Sequence, residues 1–159
     1  MTTTALLDTH TTEVMHAMAT LDAVAREHHL QLRTTHIKPA QPGAKRWDPK
    51  TEDYTRPVLP ELGLFPPDTA EFVRWCRALD VTTIHVERRP SDVCFHATTD
   101  RDGLTWRIHG WIPRDDNGRA MPGITVDWTR TSSGRRGNHA TIPLTDLVTS
   151  LAHRGVRIP

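Results

Sequence analysis

The sequence predicts an α+β domain: an antiparallel four- to five-stranded β-meander with helices packed on one face. Three observations predict it. The apolar period is 3.6 residues as far as Asp80 and 2 residues from Val81 onward. The alternating segments after Val81 are joined by short polar turns, the connection of antiparallel neighbours. Alternation also sorts the strands into one apolar face that needs a cover and one polar face that does not.

Taken in order, residues 1–12 are Thr-rich and aperiodic, so a disordered N-terminus is expected, with one α+β domain over 13–159. A helix is expected over 13–29. Val14, Met18, Leu21 and Ala25 fall at i, i+4, i+7 and i+11, the spacing of one buried stripe. Leu30, Leu32 and Thr34 alternate with polar residues, as in a short strand. Residues 39–67 hold seven of the twelve prolines. Proline removes a donor and fixes φ, so an irregular Pro-rich arm is expected there. Trp47, Tyr54, Leu59, Leu62, Leu64 and Phe65 make that arm too apolar for free disorder, so it should lie over the domain or over a partner.

Asp68 is a good N-cap, and Glu71 follows three residues later in a capping-box arrangement. The helix it opens should bury Phe72, Cys76 and Leu79, turn Arg74 and Arg77 outward, and end near Asp80. Strands are expected over 82–87, 93–98, 104–112 and 124–129, with a fifth near 139–142. A last helix over 144–153 buries Leu144, Leu147, Val148 and Leu151, and Gly155 suits the left-handed position that ends it.

By phase, the apolar face carries Ile84, Val86, Val93, Phe95, Ala97, Leu104, Trp106, Ile108, Ile112, Ile124, Val126 and Trp128. The polar face carries His85, Glu87, Cys94, His96, Thr98, Thr105, Arg107, His109, Trp111, Thr125 and Asp127. Same-face side chains on neighbouring strands can meet, so His85, His96 and His109 converge if the register allows. Imidazoles flanked by carboxylates serve as acid/base groups or metal ligands. Solvated polar residues also belong on such a face, and that plainer reading suffices for any one of them.

Composition narrows the function classes. The 159 residues suit one domain. Lys+Arg is 20 against Asp+Glu 19, a net charge of +1, which excludes a strongly basic nucleic-acid coat by bulk charge. Only Lys38, Lys45 and Lys50 are lysines, so 17 of the 20 basic residues are Arg. That bias fits a GC-rich genome and is discounted as a sign of phosphate binding. No apolar run is long enough to span a membrane, and the N-terminus lacks the basic and apolar regions of a secretion signal, so a cytoplasmic protein with no membrane partner is expected. Cys76 and Cys94 give neither a disulfide framework nor metal-ligand spacing. No cofactor motif is present, and neither bound zinc nor a catalytic residue is expected.

Turns in a meander alternate between the two ends of the sheet. Arg101, Arg130, Arg135 and Arg136 should therefore share one end and offer a dispersed phosphate contact. Trp47 in the arm and Trp111 on the polar face are candidate contact residues, since exposed Trp often anchors interfaces. The reading is a non-enzymatic binding or regulatory module. It would act on a protein or nucleic-acid partner through His85, Glu87, His96, Arg107, His109, Trp111 and Asp127, the Arg-rich loops and Trp47. The alternative is a small enzyme or metal-binding protein centred on His85, His96, His109 and Asp127.

Overall fold

The computed structural model describes residues 3–41, 43–48, 50–114, 121–129 and 137–159. Eight strands and three helices follow one another in the order α1 (Thr3–Glu27), β1 (Thr34–Lys38), β2 (Lys45–Asp48), β3 (Asp53–Pro57), β4 (Glu61–Phe65), α2 (Thr69–Ala78), β5 (Thr83–Arg88), β6 (Asp92–Arg101), β7 (Leu104–Pro113), β8 (His139–Pro143) and α3 (Leu144–His153). The architecture is α+β, as the change of period implies. The sheet departs from the expected meander. It has six strands in the order β1-β4-β7-β6-β5-β8, with β4 parallel to β7 and every other pair antiparallel. A separate two-stranded sheet pairs β2 with β3.

The central strands β5, β6 and β7 keep the expected phase. Ile84, Val86, Val93, Phe95, Ala97, Leu104, Trp106, Ile108 and Ile112 are buried. Against them pack Phe72, Val73, Trp75, Cys76 and Leu79 of α2, and Leu144, Leu147 and Leu151 of α3, in one continuous core.

Three expectations are corrected. The first is the Pro-rich stretch, which is a hairpin plus a strand rather than an irregular arm. Its prolines fall at the borders: Pro57 ends β3, and Pro60 and Pro66 bracket β4. The five residues between the last two are free to donate, and Leu62 and Leu64 are wholly buried. The second is the segment 124–129, which is no strand. β4 already occupies the sheet position beside β7, and β8 occupies the edge beside β5. Ile124, Val126 and Trp128 instead lie half-buried along the core, with the Arg88 guanidinium 4.9 Å above the Trp128 ring. The third is the N-terminus: α1 begins at Thr3, so residues 3–12 are helical rather than disordered. The stripe of α1 that reaches the core is centred on Ala17 and Val24, flanked by Leu21 and Ala25, while Met18 faces outward. Of the expected stripe, Val14, Leu21 and Ala25 lie on the half-buried side and Met18 does not; Ala17 and Val24, at i and i+7, are its buried centre.

Asp68 caps α2 as expected, accepting from the Glu71 backbone N–H at 2.8 Å. The other half of the capping box is absent. The buried Glu71 carboxylate accepts from the Gln31 N–H at 2.5 Å and from Arg74 at 2.7 Å. Arg74, expected to point outward, donates to the His28 and His29 carbonyls at the end of α1. Trp75 Nε1 donates to Gln31 O at 2.9 Å. The polar side of α2 thus fastens the α1–β1 connection. Among the described residues no helix is long and apolar enough to cross a membrane.

Candidate functional site

The helices cover the apolar face and leave the polar face open. What that face displays depends on register. Both hairpins of the β5–β6–β7 meander are in direct register across it: His85 opposite His96, and His96 opposite His109. The rings follow suit. His85 and His96 stack with centroids 5.1 Å apart, and His96 and His109 lie 6.4 Å apart. Leu64 is level with Ile108 on parallel β4, which brings Phe65 beside His109. Those two rings stack at 4.7 Å with planes only 8° apart. His36 on β1 extends the row, its ring 5.6 Å from Phe65. Five rings from five strands therefore run across the sheet. On the sixth strand Thr141 Oγ1 shares a 3.0 Å hydrogen bond with His85 Nδ1.

Gly63 is what lets His36 join the row. It is the cross-strand partner of His36, and a Cβ at 63 would stand where the imidazole lies. The row is flanked on one side by Glu87, Cys94 and Trp111, which are in register with one another and with His139. On the other side lie Thr98 and Arg107, the latter 3.6 Å from Glu61. Between Trp111 and the row is a hollow of about 560 Å³, into which Arg89, Asp92 and Glu87 also face. A second hollow of about 240 Å³ lies by Arg107, Glu61 and Lys38.

The β2–β3 hairpin stands at that second end. Arg46 pairs with Asp100 and covers Thr105, whose hydroxyl donates to Asp100 Oδ1 at 2.8 Å. Thr105 is consequently buried, against the expectation that the whole polar face is wet. Trp47 is exposed on the same hairpin and meets the exposed Tyr54 edge to face at 5.4 Å.

Electrostatics follow from this crowding. His96 is held below the ordinary imidazole value, first by partial burial, then by His85 and Arg107, with Glu87 pulling the other way. His109 is lowered for the same leading reason, with Arg107, His96 and His36 adding to it and Glu61 opposing. Burial and the nearby Asp92 push the Cys94 thiol up, which makes it a poor nucleophile at neutral pH.

The structure thus brings together His85, His96, His109, Glu87, Arg107 and Trp111. It does not bring in the rest of the expected set. Asp127 sits on the segment 124–129, outside the sheet. Arg101 donates to Ala78 O at 3.0 Å and lies near Asp80, holding the end of α2. The sequence places Arg101 at one sheet end with Arg130, Arg135 and Arg136. Those three arginines lie outside the described residues, but their flanks, Thr129 and Gly137, meet beside His139, level with Glu87. Among the described residues no group of three or more His, Cys, Asp or Glu converges to hold a metal ion.

Sequence reasoning missed His36, Glu61, Phe65, Arg89 and His139. A signal for β4 existed: Leu62 and Leu64 alternate with Glu61, Gly63 and Phe65 between two prolines. The pairing that carries Phe65 to His109 spans 44 positions of chain, and no local pattern encodes it. Neither family models, nor curated proteins, nor solved structures give a match to this chain.

Proposed function

We propose that this chain is a non-enzymatic binding module whose partner is a single nucleic-acid strand lying across the polar sheet face. The observation that carries the reading is the row of five rings on an uncovered face, bordered by the exposed Trp111 and by guanidinium groups. A protein interface of ordinary kind buries an apolar centre. Among the described residues the large apolar side chains of this face are Phe65 within the row and Trp111 beside it. What the face offers is ring surface, N–H edges and cations, and those are the groups that hold bases and phosphates. The hollow beside Trp111 has room for a stacked base, with Arg89, Glu87 and Asp92 at its rim as hydrogen-bonding partners.

The test is anisotropy of a labelled oligothymidylate single strand, and of a duplex of equal length, at about 50 mM salt. The strand should bind better than the duplex. Trp111→Ala should weaken it by about tenfold, corresponding to ~1–3 kcal/mol for one stacked base. Failure of every single strand to bind, or binding indifferent to Trp111→Ala, sinks the reading.

A protein partner is the second reading, and the Trp47–Tyr54 pair favours it. Two aromatic rings packed on each other and left open on a hairpin have the composition of an interface anchor. If that reading holds, Trp47→Ala abolishes partner capture while Trp111→Ala leaves it intact. The enzyme reading has less support, because the carboxylate expected to orient the histidines, Asp127, is off the sheet.

A further inference from the structure

We propose that protons gate the polar face: the imidazole row binds a polyanionic single strand when protonated and releases it when neutral. This rests on the binding surface argued above and adds its regulation.

Charge balance on the face is the first observation. Among the described residues, its permanent cations are Lys38 on β1, Arg107 on β7 and Arg89 after β5. Its carboxylates are Glu61 on β4, Glu87 on β5 and Asp92 on β6. Three stand against three. Arg107 lies 3.6 Å from Glu61, Arg89 lies 3.3 Å from Glu87, and Lys38 is the cross-strand partner of Glu61. Arg46 and Asp100, at the hairpin end, neutralise each other. With its imidazoles neutral, the described residues of the face therefore carry no net charge to draw phosphate. Among the described residues, the charge it can gain in mild acid comes from His36, His85, His96, His109 and, beside Glu87 on β8, His139. Full protonation takes the same face to five positive charges.

The second observation is geometric. His85, His96 and His109 occupy one line at 5.1 and 6.4 Å, so their charges would appear in a row rather than scattered. Like charges at that spacing repel, which opposes protonation of the empty face. A phosphate backbone laid along the row removes the repulsion. Binding must then draw protons onto the rings, and by linkage protons must tighten binding. His109 is half-buried and His96, though exposed, is crowded by the rings beside it, which favours the neutral form of these two on the empty face.

The experiment titrates the whole chain with labelled oligothymidylate at about pH 7.5 and about pH 5.5, at fixed low salt; thymine does not titrate in that interval. We expect affinity to rise about tenfold or more on acidification. The double variant His96→Gln/His109→Gln removes two rings of the row, so it should bind more weakly at neutral pH and also lose most of the rise on acidification. Circular dichroism at both pH values verifies that each protein is folded, and the single variants serve if the double one is not. Imidazole titration by NMR supplies an independent readout: the His96 and His109 pKa values should rise when the strand is added. Binding that is equal at both pH values overturns the gate and leaves the binding surface standing. A double variant that keeps the full rise also overturns it. No binding at either pH overturns the surface itself. Polyglutamate bound as tightly as the oligonucleotide at low pH overturns the assignment to a nucleic-acid strand.

Discussion

Trp106 shows how much one residue decides here. It is wholly buried on β7, and its indole N–H donates to Arg101 O at 3.2 Å across the β6–β7 turn. Trp106→Ala removes both the packing and the N–H that Arg101 O accepts, and should cost about 3–5 kcal/mol in a denaturant titration. Gly110, four residues on, is the reverse case. A Cβ there would press on Phe95 and Phe72, whose rings meet edge to face at 4.7 Å. Gly110→Ala should therefore destabilise by about 1–3 kcal/mol through overpacking, although alanine suits a helix or strand better than glycine in general. A melting temperature at or above that of the parent would refute this. Trp106 was legible as a core position, since alternation alone puts it on the covered face. That Gly63 exists to admit the His36 ring was not, because the contact joins two strands across 27 positions of chain.

Among the elements, α2 was the most readable and β4 the least. The cap, the apolar stripe and the end of α2 all follow from residues within one turn of each other. Asp68→Ala should cost about 1 kcal/mol, read as a drop in denaturant midpoint with unchanged slope. Asp68→Ser should recover most of it, since the hydroxyl can accept the same Glu71 N–H. The role of Glu71 and Arg74 in holding the end of α1 was hidden, because their partners are backbone groups some 40 positions away. β4 has local alternation, yet its place beside β7 is set by competition for a sheet edge. The segment 124–129 alternates more cleanly and loses that competition. Helices are written locally in this chain, while strand order depends on contacts that no window of sequence contains.

For the molecule as a whole, the histidine row links folding to acidity. His96 and His109 titrate below the ordinary imidazole value when folded and near 6.5 when unfolded. Below neutrality the unfolded chain thus binds more protons than the folded one, and stability rises with pH across that window. It should be fully present above the unfolded value and decline as the medium falls through the folded ones. Urea midpoints measured from about pH 7.5 down to about pH 5 should fall, and should fall less in His96→Gln/His109→Gln. A flat profile in the parent would show that the rings are relieved of one another's charge by some rearrangement of the face.

The five rings of the row are residues 36, 65, 85, 96 and 109, taken from strands that are neighbours in space, of which β5, β6 and β7 alone follow one another in sequence. During synthesis the row does not exist until β7 has left the ribosome and found β4, whatever earlier segments have formed. A ligand that recognises the row therefore recognises a finished sheet. Fragments ending before β7, or chains with β4 undocked, carry most of the same histidines and none of the surface. Binding to it is in this sense also a report that the chain has folded.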